Sequence, residues 1–268
     1  MMDILKIKKK VLGLNSLKNF ISREIFFKAI SSDLEGMTLD NPKSGKIMIF
    51  SPHPDDDIIG CGGTLKLHRD QGDKVRIVYL TDGSSGFPKS FRPSGLEKSE
   101  MAHNREKEAI KATELLGIDD LVFLKYKDGS LSPNVNNIKF VSQLIKDYAP
   151  SVIYVPSFLD TNSDHLETAK ILVESLRSQK DDCQVVSYEV WSPIFANLLV
   201  NIDKVINSKK ESLLCHKSQL KSRSYVEAIL GLNQYRAQMF GHGKHAEAFF
   251  TCDSKIFVEL FDLYDLKK

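Results

Sequence analysis

Two short stretches of this chain concentrate side chains that can do chemistry. One reads Pro52-His53-Pro54-Asp55-Asp56-Asp57, the other Asp160-Thr161-Asn162-Ser163-Asp164-His165, and each follows an apolar run. Catalytic zinc takes three protein ligands of nitrogen and oxygen type and keeps a fourth position for water. His53, Asp56 and His165 would supply that set with one divalent ion per chain. His53 and Asp56, three apart on a tight turn, can face one point, and His165 closes the triangle if its strand is the neighbour. Asp55 points differently from Asp56 and is placed to act as general base on a zinc-acidified water, then to return the proton to a leaving amine. That combination suits amide hydrolysis. Either stretch alone would more often be a polar loop or an Asp-rich helix cap; it is the pairing that argues for a site.

The elements that must position these residues follow from periodicity. Short β-branched runs predict strands at 46–51, 75–81, 121–124, 152–155 and 185–190. Helical patterns cover 64–70, 97–116, 138–148, 167–177, 202–219 and 222–240. Strands alternating with helices predict an α/β fold: a Rossmann-like, mainly parallel sheet with helices on both faces. In such sheets ligands bind beyond the carboxyl ends of the strands, where strand order reverses. Both acidic clusters follow strands, and they converge if the first and fourth strands are neighbours. The long Gly-, Pro- and Ser-rich loop at 82–95 reads as functional, and a second loop spans 128–137.

Composition bounds the alternatives. At 268 residues, with 42% hydrophobic and 27% charged residues and a net charge of +2, the chain is an ordinary globular protein. Four dispersed cysteines without a CxxC pair predict buried thiols in a reducing compartment. No apolar run is long enough to span a membrane, so a cytoplasmic location is expected. The remaining histidines carry ordinary readings: His68 on a helix surface, His103 on a helix, His216 in a polar helix, with His242 and His245 in a turn that could line a pocket.

The first stretch, continued by Gly60-Cys61-Gly62-Gly63-Thr64-Leu65, resembles the signature of the LmbE/PIG-L family of zinc-dependent N-acetylsugar deacetylases. Thr81-Asp82-Gly83, the helix at 105–117 and Asp164-His165 are similar to later family features. So are Tyr188-Glu189-Val190-Trp191, His216-Lys217-Ser218-Gln219-Leu220, Leu232-Asn233-Gln234-Tyr235-Arg236 and Ala246-Glu247-Ala248-Phe249, which look like a bacterial glycan-linked branch. The resemblance implies His53, Asp56 and His165 as zinc ligands, Asp55 as base and acid, and Arg105 as a substrate contact; its other reading is a helix-surface ion pair with Glu106 or Glu108. Asp57 stands where the family has glutamate and is expected to cap the helix or brace the turn. Asn162 stands where many members have an oxyanion-stabilising histidine, and an amide donates a hydrogen bond without positive charge. Asp164, the partner of that histidine in relatives, is left to fix the Asn162 amide or the turn. Trp191 is expected either to stack on a sugar face or to lie in the core.

The implied activity is removal of the N-acetyl group from an N-acetylglucosamine-type sugar or glycoconjugate, small or lipid-linked. The main rival is a family member that binds a sugar without cleaving it, for which Asn162 speaks and the retained Asp55 does not. A dinucleotide-binding oxidoreductase fails on spacing, since the third glycine of GxGxxG would fall on Leu65. A serine hydrolase fails because Gly83-Ser84-Ser85-Gly86 is a residue short of the GxSxG elbow. Nucleic-acid binding is excluded by the acidic body. The charge is unevenly divided: residues 1–30 carry +5 and the remainder −3. Residues 1–40 therefore read as a basic amphipathic helical extension to a catalytic domain at 41–268. The extension packs on the body, packs on a second subunit as a homo-oligomer, or docks peripherally at the inner face of an anionic membrane.

Overall fold

The strands form where β-branched and aromatic residues run uninterrupted. In the computed structural model, which describes residues 38–265 apart from 88, 89, 93, 222–224 and 242, β2 (Lys46–Ser51), β3 (Lys74–Thr81) and β5 (Val152–Pro156) are buried almost throughout. The residues of β2 alternate between two separate cores. Ile47 and Ile49 face one, Met48 and Phe50 the other, so both sides of the sheet are covered. All but the last three residues of the basic extension read at 1–40, the membrane contact assigned to 1–30 and the pocket role of His242 lie outside the described residues; Thr38–Leu39 of that segment form a strand, not a helix.

The remaining strands are β1 (Thr38–Leu39), β4 (Asp120–Tyr126), β6 (Gln184–Tyr188), β7 (Leu198–Asn201) and β8 (Ala246–Asp253). Among the described residues they make one eight-stranded sheet, ordered β1-β7-β8-β6-β5-β2-β3-β4. Every pairing is parallel except those of β8 with β6 and β7. From β2 the chain builds outward through β3 and β4; β5 returns to the other side of β2 and continues to β6. The strand order therefore reverses between β2 and β5, the neighbours the sequence required.

Helices α1 (Asp56–Asp70), α2 (Gly95–Leu116), α5 (Ile206–Leu213), α6 (Lys217–Leu220) and α7 (Tyr225–Phe240) lie on the Ile47 side. Helices α3 (Val135–Tyr148), α4 (Ser163–Leu176) and α8 (Ser254–Asp265) cover the other. Local chemistry marks their starts: Ser94 with Glu97 and Asn134 with Asn137 form reciprocal capping boxes. α1 begins eight residues before the helical pattern predicts, because Gly60, Gly62 and Gly63 mask it. Those glycines are there for packing. A Cβ on Gly60 would lie 2.2 Å from the Tyr188 ring, and one on Gly63 would lie 2.7 Å from Ile202. The helix breaks at Cys61, whose φ of −143° and ψ of 17° are not helical.

Several expectations change. The helix read at 202–219 divides into a 3-10 turn, α5 and α6, and β7, β8 and α8 were not anticipated. β7 is a four-residue run, too short to show a period. His68 is buried, not on the surface: Nδ1 lies 2.7 Å from Asp73 and Nε2 2.9 Å from the Tyr154 hydroxyl. His216 is likewise fully buried. The cysteines are free thiols, three buried and Cys252 half-buried. No helix among the described residues is long and apolar enough to cross a membrane.

Candidate metal and catalytic site

The turn after β2 is built by its own polar groups. The Asp55 and Asp56 N–H groups donate to the His53 carbonyl at 2.9 and 3.3 Å, and the Asp56 carboxylate accepts from the His53 N–H at 2.9 Å. Thr81, at the end of β3, donates its hydroxyl and its N–H to the Pro52 carbonyl at 2.8 and 2.9 Å. Asp57 braces the turn, as expected: it accepts from the Tyr79 hydroxyl at 2.8 Å, and its N–H donates to the Ser51 hydroxyl at 3.2 Å. Burial raises the Asp57 carboxyl to about 7, with the Tyr79 hydrogen bond opposing.

His165 arrives from the first turn of α4, after β5. Asp56 Oδ2 then lies 2.9 Å from His53 Nδ1 and 3.1 Å from His165 Nε2, and all three residues are buried. Their ligand atoms lie within 4.8 Å of one another. A single carboxylate oxygen thus faces two imidazoles. Burial opposes charge on both rings, yet Asp56 and neighbouring acids raise His53 well above its ordinary value and His165 to about 9. Burial would raise the Asp56 carboxyl, but His165 and His53 hold it far below the usual carboxylate range. The field at this point favours positive charge.

The site fits a divalent cation. Both ring nitrogens of His165 are buried without an aligned hydrogen bond, so the 3.1 Å approach to Asp56 is a convergence of ligand atoms. The outer side of His53 is held differently: Nε2 lies 3.3 Å from Asp164 and 3.4 Å from Asp128. Two carboxylates on Nε2 keep the proton there and turn the Nδ1 lone pair toward Asp56 and His165, the arrangement by which outer carboxylates orient a ligating histidine. Asp160 sits 3.5 Å from His165 Nδ1. His53, Asp128 and Asp164 also come close enough to hold an ion. Their carboxylates, however, already accept backbone N–H groups from Ser85, Gly129 and Leu131, at 2.9, 2.7 and 3.3 Å. The His53, Asp56 and His165 set is the better donor set.

Asp55 stands beside that set, buried, with Arg105 Nη2 donating to it at 2.6 Å. Burial raises its carboxyl and Arg105 opposes. Arg105 reaches inward from α2 and also donates to the Gly83 carbonyl at 3.2 Å. Gly83 has φ +65° and a Cβ there would lie 2.9 Å from the Arg105 side chain, so the close approach requires glycine. The surface ion pair considered for Arg105 is absent: Glu106 pairs with Lys125 at 2.8 Å, and Glu108 accepts from Ser218.

Asn162 caps α4, its side-chain oxygen accepting from the Asp164 N–H at 2.9 Å. The Asp164 carboxylate holds the 129–131 backbone and His53, not the Asn162 amide. Trp191 is 54% exposed, outside the core, and its backbone N–H donates to Asp160 at 2.9 Å, which ties its loop to the His165 side of the site. Sequence reasoning passed over Asp128, Asp160 as a partner of His165, and the direction of Arg105. Asp128 had a signal: it follows β4, at the same carboxyl end of the sheet as the two acidic clusters.

Residues 48–176 match the PIG-L family, described as GlcNAc-PI de-N-acetylase. The chain is 33% identical over 224 residues to a diacetylchitobiose deacetylase of Thermococcus kodakarensis, covering 75% of this chain and 81% of that protein. It is 26% identical over 191 residues to a probable N-acetyl-alpha-D-glucosaminyl L-malate deacetylase 2 of Bacillus anthracis, covering 66% and 82%. The N,N'-diacetylchitobiose deacetylase of Pyrococcus horikoshii, solved with an inhibitor, superposes with a TM-score of 0.71 at 21% identity, over 89% of this chain and 94% of that one.

Proposed function

This chain belongs to the PIG-L (LmbE) family of deacetylases, and from that premise we propose that it is a zinc-dependent hydrolase removing the N-acetyl group of an N-acetylglucosamine-type sugar or glycoconjugate. The observation that carries the reading is the convergence of His53, Asp56 and His165 beside a buried Asp55–Arg105 pair. His53 Nδ1, Asp56 and His165 Nε2 would hold the ion. Zinc, when bound, supplies a Lewis acid that polarises the acetamide carbonyl and acidifies water.

The protein groups divide the remaining work. Asp55, raised by burial, accepts a proton from the attacking water and returns it to the sugar nitrogen as the C–N bond breaks. Arg105 holds the Asp55 carboxylate in place and carries positive charge toward the substrate side. Asp128 and Asp164 set the His53 tautomer, and Asp160 supports His165. Asn162, its oxygen engaged in the helix cap, contributes no cation, and its side-chain NH2 is left to donate a neutral hydrogen bond to the developing oxyanion. Trp191, on a loop tethered to Asp160, offers a face for a sugar ring.

Acetate release from a panel of acetylated amino sugars tests the proposal, with zinc-loaded wild type against Asp55→Asn. Loss of a general base lowers turnover about 100- to 10,000-fold. Turnover that survives the substitution refutes the role of Asp55. A protein that binds the sugar and releases no acetate is the non-catalytic relative.

A further inference from the structure

Two stretches marked out by their sequence, Tyr188-Glu189-Val190-Trp191 and Leu232-Asn233-Gln234-Tyr235-Arg236, meet in the interior. Glu189, just after β6, and Arg236, on α7, are both buried. Arg236 Nε donates to one Glu189 oxygen at 3.2 Å and Nη2 to the other at 2.6 Å, a two-pronged guanidinium–carboxylate pair. Such a pair adds little stability that apolar packing could not supply, so what it fixes in place matters more. Nη2 also donates to the Ile194 carbonyl at 2.8 Å, and the Ile194 N–H donates to the Glu189 carboxylate at 3.0 Å. The pair thus engages both backbone groups of a residue in the 189–197 segment, which joins β6 to β7 without helix or strand of its own. Backbone groups outside a ladder need partners of this kind.

The segment is pinned at two further points. At its far end the Asn197 N–H donates to the Phe249 carbonyl at 3.0 Å, and the Asn197 side chain exchanges hydrogen bonds with the Thr251 backbone at 2.9 and 2.7 Å. Near its start the Trp191 backbone N–H donates to Asp160 Oδ2 at 2.9 Å, while Asp160 Oδ1 lies 3.5 Å from His165 Nδ1. Oδ1 also accepts the Asn162 N–H at 2.9 Å, so the Trp191 bond to Oδ2 is what fixes the rotation of the carboxylate. Polar contacts hold a segment whose aromatic side chains stay largely exposed, Trp191 at 54% and Phe195 at 60%. A continuous path therefore runs from Arg236 through Glu189, the segment's backbone and Asp160 to His165.

We propose that Arg236 and Glu189 are positioning residues for the metal site: by locking the 189–197 segment they hold Asp160 against His165, and so couple ion binding to the order of that segment. The inference rests on the metal-dependent reading and extends it beyond the donor set and the carboxylates that touch it. Its logic is that of the groups that orient a ligating histidine, carried one step outward. Without the lock, Trp191 N–H leaves Oδ2, the Asp160 carboxylate turns, and His165 loses the acceptor that directs its Nε2 toward Asp56. Coupling of this kind is reciprocal, so an ion that fixes His165 also tightens the segment.

Trp191 is the single tryptophan of the chain, and its fluorescence reports on this segment alone. The test compares full-length wild type with Arg236→Gln, Arg236→Lys, Glu189→Gln and Asp160→Ala. Zinc affinity comes from chelator competition, and the order of the segment from acrylamide quenching of Trp191 with and without zinc. Zinc should reduce quenching in wild type. Arg236→Gln and Glu189→Gln should each raise quenching of the zinc-free protein and weaken zinc binding about tenfold, the lower end of the effect of groups that orient a ligating histidine. Arg236→Lys keeps the charge and loses the fork, so its affinity should fall between those of wild type and Arg236→Gln. In the Asp160→Ala background Arg236→Gln should cause no further loss, because the path is already cut. A fall in stability to urea with zinc affinity and zinc-dependent quenching at wild-type values would mean a purely structural pair and overturns the inference. So does a loss from Arg236→Gln that persists undiminished without the Asp160 carboxylate. If Arg236→Gln does not fold, Arg236→Lys and Glu189→Gln carry the same comparison. If wild type binds no zinc, the metal-dependent reading itself fails and takes the inference with it.

Discussion

The break in α1 makes a quantitative prediction, because a buried ion pair splices it. Lys209 and Glu247, both without exposed surface, pair at 2.6 Å. Lys209 also donates to the Ile59 carbonyl, before the kink, at 3.0 Å. Glu247 accepts the N–H groups of Gly63 and Thr64, after the kink, at 2.8 and 2.7 Å. The pair thus satisfies backbone groups orphaned on both sides of Cys61 and seats the turn bearing Asp55 and Asp56. Glu247→Gln leaves a buried ammonium facing only neutral acceptors, and removing one member of a buried pair costs about 3–5 kcal/mol. For a domain of this size that is a Tm loss of roughly 6–20 °C. Lys209→Met should cost less, because the remaining carboxylate keeps two N–H donors at a helix start, where negative charge is favoured. The double variant should be more stable than the sum of the single losses predicts, since neither charge is then stranded. Urea unfolding of the four proteins measures all three values. A loss below about 1 kcal/mol for Glu247→Gln, or a larger loss for Lys209→Met, would refute the assignment, given the cost expected for a stranded buried charge.

Other outcomes follow from single contacts. Asp160→Asn, which weakens the support of His165 and the tether of Trp191, should lower zinc affinity about 10- to 100-fold in a chelator competition while the fold persists by circular dichroism. Gly60→Ala drives a methyl into the Tyr188 ring and should cost about 1–3 kcal/mol of stability by denaturant unfolding, without altering the ligand set. Asp73 gives a pH test: burial would raise its carboxyl, but hydrogen bonds from Ser44, Gln71, His68 and the Gly45 N–H hold it below the ordinary value. Its stabilisation is therefore complete above its unfolded pKa of about 3.9 and is lost as pH falls through the lower folded value. Asp73→Asn should flatten that acid limb of the stability–pH curve, which thermal melts between neutral and acid pH would show.

Residue type and spacing were enough for much of this protein. Lys46–Ser51 and Val152–Pro156 are legible as buried parallel strands because nothing polar interrupts them, and the turns that follow them announce a donor set and a base. The family could be read from the same motif. What a linear pattern does not carry is the direction of a side chain. Arg105 has acidic residues within one helical turn, so the sequence allowed a surface pair; its burial against Asp55 depends on the room that Gly83 leaves. Asp128 reaches His53 because β4 and β2 both flank β3, an order that local propensity does not encode. Lys209 and Glu247 look like ordinary polar residues until α5 and β8 close over the broken helix. The sequence by itself determined which groups could bind an ion and attack an amide. The tertiary structure decided which of them meet, because contacts between residues far apart in the chain are set by strand order and helix packing, which no local period records.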